Sequence, residues 1–236
     1  MYFKNYQIER FLTNETNYLQ VGTLFHLLND IMERNANSYG AGADYHIKQD
    51  LAWVLAQYEI DIKDWPKSDE LVKVGTIPYS FKRMMGYRKY AILNQNNEVL
   101  MEGKGKFLLI NIVTKAMIKP SQALLDKFTD AKKMPEALDF IRLKPEKKGL
   151  LKEIERTIAP IHIDVNNHMN NAYFVAIASE YLPVKTETIK KIIVTYKQEA
   201  YLNDQVTIRY FKEDVGIYIE LLRDEILLSQ IMFYQG

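Results

Sequence analysis

Two stretches of the chain gather side chains that can do acid/base chemistry. In Ile163-Asp164-Val165-Asn166-Asn167-His168-Met169-Asn170-Asn171, a carboxylate, an amide and an imidazole recur at every second residue. In an extended backbone residues 164, 166 and 168 project to one side, so Asp164, Asn166 and His168 could address one reacting centre. The helical periodicity that starts at Phe174 and Ile177 puts free backbone N–H groups beside them, where they can stabilise an oxygen that gains negative charge. The second stretch, Tyr196-Lys197-Gln198-Glu199-Ala200, adds one glutamate after a strand-like run. With no cysteine and only 4 histidines, disulfides, thiolate ligands and a cysteine nucleophile are excluded, leaving oxygen and imidazole groups for any catalysis. His26, His46 and His162 lack metal-ligand spacing and read as structural histidines, so no metal or other cofactor is expected. By itself an Asn-rich turn before a helix is capping chemistry, because Asn and Asp are preferred caps and turn formers.

The elements that must position these groups occur in the same order twice. Leu24, Leu27, Leu28, Ile31 and Met32 follow the spacing of a helix with one buried face, as do Phe174, Ile177, Ala178 and Tyr181, with Pro183 as a stop. Strand-like runs follow each helix: 51–62, 71–78, 87–93 and 99–113, then 189–196, 206–211, 217–222 and 226–233. Turns at Asn94-Gln95-Asn96-Asn97 and Arg223-Asp224 join two of the pairs as hairpins, which favours antiparallel pairing over βαβ units. Between the copies, residues 124–154 carry Pro135, Pro145 and a lysine-rich tract, and read as a connection without strand alternation. When Asn17 to Leu24 are laid over Asn167 to Phe174, Asp164, Asn166 and His168 fall opposite Asn14, Thr16 and Tyr18. Ionisable groups in one copy face neutral ones in the other, so the chemistry is assigned to the second.

At 236 residues, 47% hydrophobic and 26% charged, the chain has globular proportions. A net charge of +1 argues against a nucleic-acid partner. No apolar run approaches the ~20 residues needed to span a bilayer, so stable membrane insertion is not expected. The start, Met-Tyr-Phe-Lys-Asn followed by Glu9 and Arg10, is unlike a secretory signal, and a cytoplasmic location is expected.

Asp164-Val165-Asn166-Asn167-His168-Met169-Asn170-Asn171, with Tyr173 and Glu180, resembles the D-x-N-x-H motif of the plant and bacterial acyl-ACP thioesterases. The resemblance extends through residues 64–74, 82–88 and 196–200; where the plant enzymes commonly carry a cysteine after the last glutamate, this chain has Ala200. It implies an α+β tandem (double) hotdog, each half a long helix wrapped by a curved antiparallel sheet. The expected layout is a non-catalytic copy at 1–125, a linker at 126–150 and a catalytic copy at 151–236. The implied activity is hydrolysis of fatty acyl-ACP to free fatty acid and holo-ACP. The alternatives left open are an acyl-CoA thioesterase and a non-catalytic acyl-binding hotdog protein. Asp164, Asn166, His168 and Glu199 carry over as catalytic residues. Trp53 and Leu27 are expected at the acyl pocket, and Arg83 and Arg88, with Lys82 and Lys89, as a docking patch for an acidic acyl carrier protein. A homodimer is among the assemblies open to the chain.

Overall fold

In the computed structural model, which describes residues 1–129, 131 and 137–236, all ten strands join one antiparallel sheet. Its order is β1-β3-β4-β5-β2-β7-β10-β9-β8-β6, where β1 is Tyr2–Gln7, β2 Leu51–Ile62, β3 Leu71–Lys82, β4 Met85–Leu93 and β5 Val99–Asn111. In the second half β6 is Leu150–Thr157, β7 Ile189–Tyr196, β8 Gln205–Glu213, β9 Gly216–Arg223 and β10 Ile226–Gln235. The halves meet where β2 pairs with β7, Gln57 opposite Thr195 and Asp61 opposite Lys191. Pro135 lies outside the described residues.

Helices α1 (Val21–Ser38) and α4 (Asn171–Ser179) pack against one face of this sheet. Leu24, Phe25, Leu28 and Ile31 of α1 meet Tyr58, Ile60, Val74 and Tyr90 in the same buried core as Phe174 and Ile177 of α4 and Ile192, Val194 and Ile219 of the second half. A continuous sheet under two helices thus buries one shared core, the α+β tandem hotdog arrangement. The helices touch at Gly22, where a Cβ would come within 2.5 Å of the Ala176 Cβ; only a glycine permits that approach. Two short helices, α2 (Ala43–Ile47) and α3 (Gln122–Leu125), cover a smaller cluster of Ala41, Leu109, Leu124 and Phe128.

Three elements differ from the sequence expectation. The edge strands β1 and β6 are additions, and β6 begins inside the stretch read as a connection. Five strands per half, not about four, surround each helix. The second helix is half as long as the first, 9 residues against 18, so only the first copy carries a long one. The connection itself crosses the face of the sheet opposite the helices. There Glu59, 2% exposed, accepts from the Ile141 N–H and pairs with Lys104 at 2.9 Å, and Glu220, 3% exposed, pairs with Lys147 at 2.6 Å. Buried carboxylates need such partners, and these two hold the strap in place.

Candidate active site

The segment before α4 is a tight turn rather than the extended strand expected. Asn167 has φ +63°, its N–H donates to the Asp164 carbonyl at 3.0 Å, and the Asp164 N–H donates to the His168 carbonyl at 3.0 Å. The Asp164 carboxylate accepts from the Asn166 N–H at 2.8 Å, closing an Asx turn. Residues 164 and 168 therefore meet across a loop, not along one side of a strand. Asn166 and Val165 are left outside, Val165 95% exposed.

Glu199 arrives from the other direction, on the loop after β7. That loop is pinned by the Met169 N–H, which donates to the Ala200 carbonyl at 2.7 Å, and by Lys197 and Gln198, which both donate to Leu228. The result places the His168 imidazole between two carboxylates: Nδ1 is 3.9 Å from Asp164 Oδ1 and Nε2 is 3.9 Å from Glu199 Oε1. The three side chains are 21–36% exposed, so the site is reachable but partly desolvated. Separations slightly beyond hydrogen-bond length are usual for acid/base groups without substrate. The first turn of α4 stands beside them. Asn170 caps it, its side chain accepting from the Ala172 N–H at 3.0 Å and its carbonyl from the Tyr173 N–H at 2.9 Å, so these two amides are already engaged.

The first half builds the same scaffold with other side chains. Asn17 has φ +64°, its N–H donates to Asn14, the Asn14 N–H donates to Tyr18, and the Asn14 side chain accepts from the Thr16 N–H at 3.0 Å. Thr13 bridges Leu19 as Ile163 bridges Met169. The Leu19 N–H donates to Pro66 as Met169 does to Ala200, which makes Trp65 the backbone counterpart of Glu199. Trp65 is 1% exposed and donates from Nε1 to the Ile189 carbonyl at 3.1 Å. Asn14, Thr16, Tyr18 and Trp65 thus stand where the second half has Asp164, Asn166, His168 and Glu199. The sequence overlay found the first three, but the fourth is hidden by the unequal helix lengths. A cleft of about 710 Å³ opens between the two halves, lined by Asn14, Thr16 and His26 of the first and Tyr173, Glu180 and Lys185 of the second, and His168 does not line it.

The expected docking patch needs a correction. Arg88 is not on the surface: it is 8% exposed, its guanidinium bonds Asn35 on α1 and the Thr76 hydroxyl, and burial pulls its pKa down. Arg83 is exposed at the β3–β4 turn with φ +56°, and Lys82 and Lys89 are exposed with it. Leu27 faces the main core, 9% exposed, and Trp53 packs on Phe81 and His46 at ring distances of 5.7 and 6.5 Å. Among the described residues no group of three or more His, Asp or Glu could hold a metal ion, and no helix is long and apolar enough to cross a membrane.

Similarity to known proteins agrees with this architecture. An acyl-ACP thioesterase from Bacteroides thetaiotaomicron superposes with a TM-score of 0.87 at 17% identity, covering 99% of this chain and 97% of its own. The 12:0-ACP thioesterase from Umbellularia californica does so at 0.87 and 13%, covering 100% and 96%. At such identities the likeness speaks for the fold. No curated protein sequence matches. Family models reach further: the acyl-ACP thioesterase N-terminal domain matches residues 1–128 and the C-terminal domain residues 148–225, the latter including the turn and the loop that bring Asp164, His168 and Glu199 together. With both models matched in order along one continuous sheet, the chain belongs to the acyl-ACP thioesterase family, whose members are thioester hydrolases.

Proposed function

We propose that Asp164, His168 and Glu199 are the catalytic groups of this thioesterase, with Asn166 at the mouth of the site. One observation carries the reading: an imidazole lies 3.9 Å from each of two carboxylates in the second copy, while the first copy has the neutral Asn14, Thr16, Tyr18 and Trp65 at the four matching positions. Water attacks the thioester carbonyl carbon, with Glu199 orienting it or taking its proton. The C–S bond then breaks, and the departing phosphopantetheine thiolate is protonated through His168. Asp164 stabilises the imidazolium, or itself attacks the carbonyl to give an acyl-aspartate anhydride that water hydrolyses. The developing oxyanion is held by the Asn171 N–H, since Asn170 already engages the next two amides, while Asn166, exposed on the turn, meets the substrate at the mouth.

Carrier recognition falls to the exposed Lys82, Arg83 and Lys89, which suit the acidic surface of an acyl carrier protein. The acyl chain enters the first half, past Leu27 and towards Trp53. The location is proposed to be cytoplasmic. A homodimer is proposed through β1 or β6, the two edges of the sheet, each with one unpaired side. The deciding experiment measures hydrolysis of one acyl chain on acyl carrier protein and on CoA by the wild type, Asp164→Asn and His168→Ala. Each substitution is expected to lower kcat at least ~100-fold with the fold intact. Near-full turnover in either variant overturns the site; faster hydrolysis of the CoA ester overturns the choice of carrier.

A further inference from the structure

Glu199 is the only member of the candidate triad that no turn of its own holds in place. It sits at the end of a strand, on a half-exposed loop. What holds its carboxylate is Tyr201, two residues on, whose phenol donates to Glu199 Oε2 at 2.6 Å. The other oxygen, Oε1, is the one turned to His168 Nε2 at 3.9 Å. One oxygen is thus fixed while the other is presented to the imidazole.

Tyr201 is itself anchored. Its N–H donates to Asp204 Oδ2 at 2.8 Å, and Asp204 is paired with Arg223, whose guanidinium also donates to the Glu199 carbonyl at 3.4 Å and lies 5.8 Å from the Tyr201 ring. The first copy shows which part of this the fold requires. There the Lys67 N–H donates to Glu70 Oε2 at 3.0 Å, repeating the bond from Tyr201 to Asp204. Lys67 therefore stands where Tyr201 does, as Trp65 stands where Glu199 does. The turn forms without the phenol, and phenol and carboxylate occur together in the copy that carries the ionisable groups. The bond to Glu199 pushes the Tyr201 phenol above its ordinary value, so it remains a donor at neutral pH.

We infer that Tyr201 is a positioning residue for the thioester hydrolysis, orienting Glu199 through its phenol while the Arg223–Asp204 pair holds Tyr201. The inference rests on the catalytic role proposed for Glu199. A hydrogen bond to a charged group contributes enough that its loss should cost about tenfold in rate. The test is a double-mutant cycle of Tyr201→Phe and Glu199→Gln, with kcat and KM for acyl-ACP and thermal denaturation of each protein. Tyr201→Phe is expected to lower kcat about tenfold, leave KM within about twofold and leave the melting temperature in place. In the Glu199→Gln background the same substitution is expected to have less than about a twofold effect, which a purely structural role for Tyr201 would not produce. Equal effects in both backgrounds, or wild-type kcat in Tyr201→Phe while Glu199→Gln is impaired, overturn the positioning role alone. Near-wild-type turnover in Glu199→Gln overturns the catalytic role of Glu199, and the positioning role with it.

Discussion

Residues 65 and 199 occupy matching places in the two copies, and exchanging each for alanine should separate fold from chemistry. Trp65 is 1% exposed and its indole N–H meets the Ile189 carbonyl at 3.1 Å, tying the first half to β7. Removing a buried indole costs about 3–5 kcal/mol, and here it also leaves a buried carbonyl without its donor. In a domain of this length that corresponds to a fall in melting temperature of roughly 10 °C. Glu199 is 36% exposed and makes no core contact, so Glu199→Ala should change stability by no more than about 0.5 kcal/mol. Its expected loss is instead at least ~100-fold in kcat. Circular dichroism melts and turnover of acyl-ACP per folded molecule, measured below the transition of each variant, give the two readouts. The expected pattern is crossed: Trp65→Ala is unstable but turns over normally, and Glu199→Ala is stable but slow. A Trp65→Ala protein as slow per folded molecule as Glu199→Ala, or a Glu199→Ala protein as unstable as Trp65→Ala, would refute the division between the copies.

Two further outcomes follow from the buried groups. His46 is 5% exposed and burial pulls its pKa down, as it does for His26 and His162. The unfolded chain therefore takes up a proton at each near pH 6.5 while the folded one resists, so their contribution is intact above that pH and is lost as pH falls below it. His46→Gln should flatten the drop in melting temperature between about pH 7 and pH 5, and an unchanged slope would remove His46 from that account. Arg83→Glu should raise KM for acyl-ACP, more so at low salt, with no change in melting temperature, whereas Arg88→Glu should destabilise by about 3–5 kcal/mol by burying a carboxylate where a guanidinium was bonded. Similar stability losses in both would return Arg83 to a structural role.

Much of the fold could be read from the chain because the interior strands of a shared core are apolar and end in turn residues. β2 and β7 match their expected limits, and the Asn97 turn and the neighbouring hairpins follow from residues that tolerate positive φ. The edge strands β1 and β6 escaped because each is paired on one side only and is half or more exposed: Lys152, Glu153, Glu155 and Arg156 in β6 look like linker residues until β8 is alongside. The burial of Arg88 is legible in the register of β4. Tyr90 and Ile92 face the core, so period-two alternation puts Arg88 inward as well, even though its charge favours the surface. The convergence of Asp164 with His168 was anticipated on the wrong geometry, because the left-handed Asn167 bends the chain that was read as extended. Nothing local in the sequence announces Trp65 as the partner of Glu199: α1 runs nine residues longer than α4 and α2 follows it, so the two loops fall out of step.

The duplicated turn also separates what the backbone needs from what chemistry needs. An Asx turn requires an oxygen that accepts from the residue two positions on, and the Asn14 amide does this at 3.0 Å as well as the Asp164 carboxylate does at 2.8 Å. The negative charge of Asp164 therefore adds nothing that the turn requires. The same holds one step further along, where Tyr18 and His168 both present a carbonyl to residue 14 or 164 through the main chain, leaving the side chain free. At the third place the alternatives part completely: an indole closes the first copy with a buried contact, and a carboxylate leaves the second open to solvent. A partly desolvated carboxylate needs hydrogen-bond donors, and here the Asn166 N–H serves Asp164 and the Tyr201 phenol serves Glu199. The two carboxylates stand 3.9 Å from one imidazole on a scaffold that the first copy builds without them, which is the observation that the proposed proton-transfer role of Asp164, His168 and Glu199 rests on.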